Sequence, residues 1–240
     1  MSGGVVTPEL RARVRGLAIP IALAFGRLGL TPNALTVLGF GISLIAAVVA
    51  SQGGWIAAGL LVIFGGVFDL FDGALARATN KVSRLGAFLD SVFDRAGEAV
   101  LYLGIAIGCL AQGFDRGAVL ATSALAASFM VSYTRAKSES LGFTPGTGMA
   151  NVGIAPREVR LVLLTLGLLM TGALGGIVVP LNVAGLIDGN TWAGRPILAT
   201  ALAVITILAT VTTIQRIVHV TRQTPPESIG STSPRGEQQQ

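Results

Sequence analysis

DLFDGALARATNKVSRLGAFLDSVFD, residues 69–94, places four carboxylates inside segments that are otherwise apolar enough to span a bilayer. Asp69 and Asp72 are three residues apart, and Asp90 and Asp94 are four apart. On helices those spacings put each pair on one face, about a turn apart. A carboxylate at membrane depth costs roughly 2.5–3.5 kcal/mol unless it is paired or bound to something. Four together require cations.

The rest of the composition fits a bilayer. Hydrophobic residues make up 52% of 240, charged residues 12%, and the mean hydropathy is +0.72. These values exclude an ordinary soluble domain and predict an integral membrane protein. Cys109, the single cysteine, lies in an apolar run, so no disulfide framework exists. The net charge of +5 comes from arginines that flank apolar runs, where they set topology and meet anionic lipid headgroups. No basic stretch interleaved with aromatics accompanies them, so nucleic acid is not an expected partner.

Outward from the acidic stretch, the hydropathy pattern predicts an all-α integral membrane fold of six transmembrane helices. The expected spans are 33–50, 55–78, 85–111, 116–138, 158–180 and 196–218. Asp69 and Asp72 fall in the last third of the second span, and Asp90 and Asp94 in the first third of the third. Both pairs therefore lie at one depth. Residues 1–30 carry arginines before and after an apolar run broken by Pro20, which fits an N-terminal juxtamembrane amphipathic helix better than a signal peptide. Residues 31–222 form the expected membrane domain, and the polar tail 223–240 is expected to be disordered. Fifteen of the 17 Lys and Arg fall on the side of the 79–84 turn, leaving only Arg116 and Arg195 opposite. The positive-inside rule then puts both termini and the acids at the cytoplasmic face of the cell membrane.

Asp69, Asp72, Gly73 and Ala76 share one helix face, with Arg77 on its shoulder. Gly73 and Ala76 lack bulk, so a ligand can come close beside the acids. Gly86, Asp90 and Asp94 make a second stripe at spacings of four. Hard oxygen donors without His or Cys select Mg²⁺, Mn²⁺ or Ca²⁺ over zinc. Mg²⁺ is usually held by a few carboxylates plus substrate phosphates, and Arg77 is the natural contact for such a phosphate. A cation or proton transporter would instead spread its acids across the membrane depth.

The pattern D-x-x-D-G-x-x-A-R-x8-G-x-x-x-D-x-x-x-D runs through Asp69, Asp72, Gly73, Ala76, Arg77, Gly86, Asp90 and Asp94 without a departure. It resembles the signature of the CDP-alcohol phosphotransferase family, whose members have six spans and a juxtamembrane N-terminal helix. The resemblance implies attack by an alcohol on the lipid-linked phosphorus of CDP-diacylglycerol, or a related CDP-lipid, with release of CMP. It implies that Asp69, Asp72, Asp90 and Asp94 hold two divalent ions, Mg²⁺ or Mn²⁺, with Asp94 as general base. It further implies that Gly73, Ala76 and Arg77 hold the cytidine diphosphate beside Asp69 and Asp72. Ser83 and the turn of Thr31, Pro32, Asn33 and Ala34 would also touch it, and the assembly would be a homodimer. A degenerate, merely lipid-binding member would lack a motif residue, and none is lacking.

A second constellation concerns the acceptor. Ser132, Arg135, Lys137, Arg157 and Arg160 lie at the ends of the fourth and fifth spans on the side of the acids, as an anion pocket for a phosphorylated alcohol would require. SYTRAKSE and PREVR are similar to the SY-x-[KR]-A-[RK]-x-E and E-R-x-E-R stretches of phosphatidylinositol phosphate synthases and their archaeal relatives. Pro156 and Val159 stand where that pattern has glutamates. The resemblance implies inositol 1-phosphate as acceptor, with glycerol 3-phosphate second. Glu98, one turn beyond Asp94, is expected to pair with an arginine or a polar neighbour. Tyr102, Trp192 and His219 read as core or interfacial residues.

Overall fold

Thr31 and Ser83 each precede a helix, and their side chains do what that position favours. Thr31 Oγ1 accepts from the backbone N–H of Ala34 at 3.2 Å, with Pro32 at the first helical position. Ser83 Oγ accepts from the N–H of Gly86 at 3.0 Å. Between these caps the chain turns at Asn80, whose φ of 54° is the left-handed conformation asparagine tolerates. The caps thus fix the helix starts at Pro32 and Arg84.

The computed structural model describes residues 8–143, 152–175, 178–179 and 191–223. Seven helices make up nearly all of it: α1 (Pro8–Arg27), α2 (Pro32–Ser51), α3 (Trp55–Ala78), α4 (Arg84–Ala111), α5 (Asp115–Ser140), α6 (Arg157–Leu174) and α7 (Gly194–Gln223). The expected tail 223–240 lies, beyond Gln223, outside the described residues. Four of the helices, α2, α3, α5 and α7, are long and apolar enough to cross a membrane by length and composition. The other two helices after α1, α4 and α6, carry more charge: α4 holds Arg84, Asp90, Asp94, Arg95 and Glu98, and α6 opens with Arg157, Glu158 and Arg160.

The helices close into a ring. α2 packs on both α3 and α4, α4 on α5, α5 on α7, α7 on α6, and α6 returns to α3. α1 lies outside the ring against α3. Leu101, Tyr102, Ile105, Leu164, Leu168, Leu198, Leu202 and Ile205 fill its centre. A second apolar cluster, Ala18, Ala22, Leu35, Phe71 and Leu75, seats α1 beside the N-terminus of α2. The tightest approach is α2 on α4, where a Cβ at Gly104 would overlap the carbonyl oxygen of Ala47. Small residues at such crossings are how apolar helices gain packing where no water drives association.

One expectation needs correction. The fifth span was expected to continue to residue 180, but α6 ends at Leu174, with Gly175 beyond it. The all-α class holds, with one small addition: Val178–Val179 and Thr191–Trp192 form a two-stranded antiparallel ribbon, β1 and β2. Apolar β-branched residues score like helix in a hydropathy window, yet they favour strand.

Candidate active site

Because α2 and α4 begin, and α3 ends, at the same end of the ring, the acidic stretch folds into one locus. Asp69 and Asp72 project from α3, and Asp90 and Asp94 from α4. Asp72 lies in the electrostatic field of Asp69 and Asp90, and Asp94 in that of Asp69 and Asp90. The four carboxylates named from the sequence are thus brought together. Asp72 is buried and accepts a hydrogen bond from Thr36 Oγ1 at 2.7 Å. Asp69 and Asp94 are partly exposed and share one partner, Arg157. Its Nη1 is 2.8 Å from Asp94 Oδ1, and both Nη1 and Nη2 donate to Asp69 Oδ2 at 3.1 Å. Arg95 Nη1 stands 3.6 Å from Asp94 Oδ2.

These contacts decide how the acids relate to a cation. Among the described residues no three carboxylates form a ready-made ligand shell, because Thr36 holds Asp72 and the Arg157 guanidinium spans Asp69 and Asp94. The donor set nevertheless fits a hard divalent ion. It is all carboxylate oxygen, it lies at the mouth of the ring, and a positive group already bridges two of its members. Asp69, Asp72, Asp90 and Asp94 are the residues that would hold it.

The residues expected to hold the nucleotide gather around this locus. Arg77 is exposed at the end of α3, and its guanidinium lies over Gly73, where a Cβ would stand 3.3 Å from Nη1. Ala76 is partly exposed on the same turn. Asn33, in the first turn of α2, faces the first turn of α4, its Oδ1 lying 3.2 Å from where a Gly86 Cβ would be. Thr31, Pro32, Ala34 and Ser83 belong to the same two helix starts.

The five residues expected at the acceptor phosphate are more dispersed. Arg157 is on the acids. Arg160 is 1% exposed and donates from Nε and Nη2 to Glu98 at 3.0 and 2.9 Å, and from Nη1 to the carbonyl of Ala155 at 3.1 Å. This bidentate pair ties α4 to α6 and leaves Arg160 engaged within the protein. Arg135 pairs with Glu139 on its own helix at 2.9 Å. Ser132 Oγ donates to the carbonyl of Ser128 at 3.4 Å. Lys137 lines a small hollow between α5 and α7 together with Tyr133 and Arg216.

Two residues escaped the sequence reading. Thr36 left a signal, being the polar residue that ends TPNALT just inside an apolar span. Arg216 was visible only as a flanking charge. It is buried on α7, donates from Nε to the carbonyl of Val152 at 3.0 Å and from Nη1 to that of Val131, and lies in the field of Arg135 and Arg160. Together with Thr212, whose Oγ1 accepts from the N–H of Ala155 at 2.9 Å, it pins the segment that precedes Arg157. A cavity of about 720 Å³ opens elsewhere, beside Trp55, Gln112, Phe114 and Arg195, and no carboxylate lines it.

Known proteins are similar to this chain in sequence and in fold. A family model described as CDP-alcohol phosphatidyltransferase matches residues 29–221. The archaetidylinositol phosphate synthase of Pyrococcus horikoshii is 37% identical over 169 residues, covering 70% of this chain and 85% of the relative. The phosphatidylinositol phosphate synthase of Streptomyces avermitilis is 33% identical over 216 residues, covering 89% of this chain and 81% of the relative. The crystal structure of Mycobacterium tuberculosis phosphatidylinositol phosphate synthase with CDP-DAG bound superposes with a TM-score of 0.70 at 26% identity, covering 90% of this chain and 98% of that one. The same enzyme in complex with manganese and citrate gives a TM-score of 0.71 at 27% identity, covering 90% and 93%.

Proposed function

This chain belongs to the CDP-alcohol phosphatidyltransferase family, and from that premise we propose that it transfers the phosphatidyl group of CDP-diacylglycerol to a hydroxyl of inositol 1-phosphate, releasing CMP. The observation that carries the reading is the convergence of the intact motif's four carboxylates at one end of the ring, with Arg77 beside them. Bound there, two divalent ions, Mg²⁺ or Mn²⁺, would supply positive charge against the pyrophosphate and the departing CMP.

The chain's own residues have separable tasks. Asp69, Asp72, Asp90 and Asp94 hold the ions, and Thr36 fixes the orientation of Asp72 through its hydrogen bond. Arg77, whose planar fork suits phosphate oxygens, takes the cytidine diphosphate over the unbranched surface of Gly73 and Ala76. Ser83 and the Thr31–Ala34 turn border the same nucleotide. Asp94 accepts the proton of the acceptor hydroxyl as its oxygen forms the new bond to the lipid-linked phosphorus and the bond to CMP breaks.

The acceptor assignment draws on two supports. Relatives named for inositol phosphate lipids match most of the chain, and Arg216, in the field of Arg135 and Arg160, adds a cation with no ion-pair partner of its own among the described residues at the adjoining helix ends. Glycerol 3-phosphate stands second, because Pro156 and Val159 replace the glutamates of the inositol phosphate pattern. We place six helices, α2 to α7, across the cell membrane with the acids and both termini in the cytoplasm and α1 in the interface. A homodimer is the proposed assembly. CMP release from CDP-diacylglycerol, measured across a panel of acceptors, tests the function. Release with glycerol 3-phosphate alone overturns the acceptor, and release with none overturns the reaction.

A further inference from the structure

We propose that Arg157 and the divalent ions compete for Asp69 and Asp94, so that loading of the metal site frees the Arg157 guanidinium for the acceptor's phosphate. The inference rests on the metal-dependent reading above and adds an order of events to it: metal first, acceptor second.

The geometry makes the two occupants exclusive. Arg157 donates to Asp69 Oδ2 twice and stands 2.8 Å from Asp94 Oδ1, so one guanidinium spans carboxylates from two different helices. A divalent ion held at this site would need the same carboxylate oxygens as ligands. A second cation in the same gap would be repelled, and its N–H groups would face lone pairs already donated to the metal. Arg95, at 3.6 Å from Asp94, keeps its looser place in either case.

The seat on the acids also leaves Arg157 incompletely satisfied. Its Nε is buried and has no hydrogen-bond partner among the described residues, which costs free energy for as long as the side chain stays there. The backbone beneath it is held firmly. Thr212 takes the N–H of Ala155, Arg160 takes the Ala155 carbonyl, and Glu98 anchors Arg160. Arg157 is thus a long side chain on a fixed base at the first residue of α6, free to swing between two anionic partners. Arg216, which holds the Val152 carbonyl on the segment before Arg157 and lies in the field of Arg135, adds positive charge on that side.

The test is Mn²⁺ binding by the detergent-solubilised full chain, followed by electron paramagnetic resonance or calorimetry. R157Q removes the competitor and should bind Mn²⁺ at least about tenfold more tightly than wild type, equivalent to about 1.4 kcal/mol. R157K retains a point charge without the bidentate fork and should fall between them. If R157Q does not fold, R157K alone decides by binding more tightly than wild type. R195Q, at the other end of the ring, should match wild type. Inositol 1-phosphate should tighten Mn²⁺ binding in wild type and lose that effect in R157Q, since coupling between two sites is reciprocal. Unchanged or weaker Mn²⁺ binding in both Arg157 variants, with D94N abolishing it, overturns the competition and leaves the metal site standing. Wild type that binds no Mn²⁺, or D94N that binds it normally, overturns both.

Discussion

Glu98 and Arg160 offer the sharpest structural perturbation away from the reacting groups. The pair is 5% and 1% exposed, bidentate at 3.0 and 2.9 Å, and it joins α4 to α6 across 62 residues of sequence. Removing one partner of a buried ion pair leaves the other charge without compensation, which costs about 3–5 kcal/mol. Glu98→Ala should therefore lose that much, as should Arg160→Ala. Replacing both partners with apolar residues of similar volume is often neutral or stabilising. Here one group is left behind, because the Ala155 carbonyl loses its Arg160 donor, and an unsatisfied buried acceptor costs about 1–3 kcal/mol. The Glu98→Met/Arg160→Met double variant should thus sit only about 1–3 kcal/mol below wild type, less destabilised than either single variant. Reversible unfolding of the detergent-solubilised protein, arranged as a double-mutant cycle, measures all four corners. Singles within about 0.5 kcal/mol of wild type would place this pair among ordinary surface substitutions and refute the reasoning. Additive losses in the double variant would refute it as well.

Two further outcomes follow from single contacts. Thr36→Val deletes the 2.7 Å hydrogen bond to Asp72 while keeping the side chain's shape; a lost metal-orienting partner should weaken Mn²⁺ binding by about 10–100-fold, and unaltered binding would show that Asp72 needs no such orientation. Gly104→Leu drives a side chain into the Ala47 carbonyl where α2 and α4 cross; overpacking of this kind should cost about 1–3 kcal/mol, read as a lower melting temperature, whereas wild-type stability would mean the two helices part easily.

How much was legible in advance depended on whether a feature was local. The acidic stretch was readable because helix geometry turns spacings of three and four into shared faces. The starts of α2, α3 and α4 followed from the apolar runs. The end of α6 did not, since a hydropathy window treats the β-branched Val178 and Val179 like any apolar residue and passes over their preference for strand. Pairings across the ring were invisible for a different reason. Arg157 meets Asp69 from 88 residues away and Arg160 meets Glu98 from 62; nothing in either first turn says which of the two arginines faces the acids and which faces Glu98. Both therefore read alike as candidates for an acceptor phosphate. Arg216 looked like one more flanking charge, because its role rests on carbonyls of Val131 and Val152 that only the fold brings near.

The central claim is that these four carboxylates run a metal-dependent transfer from a CDP-lipid. CMP release from CDP-diacylglycerol by the purified chain with inositol 1-phosphate measures it directly. The rate should vanish with EDTA, return with Mg²⁺ or Mn²⁺, and fall by at least about 10²–10⁴-fold in Asp94→Asn, the range expected for losing a general base. No CMP from any phosphorylated acceptor, or Asp94→Asn turning over like wild type, would contradict it.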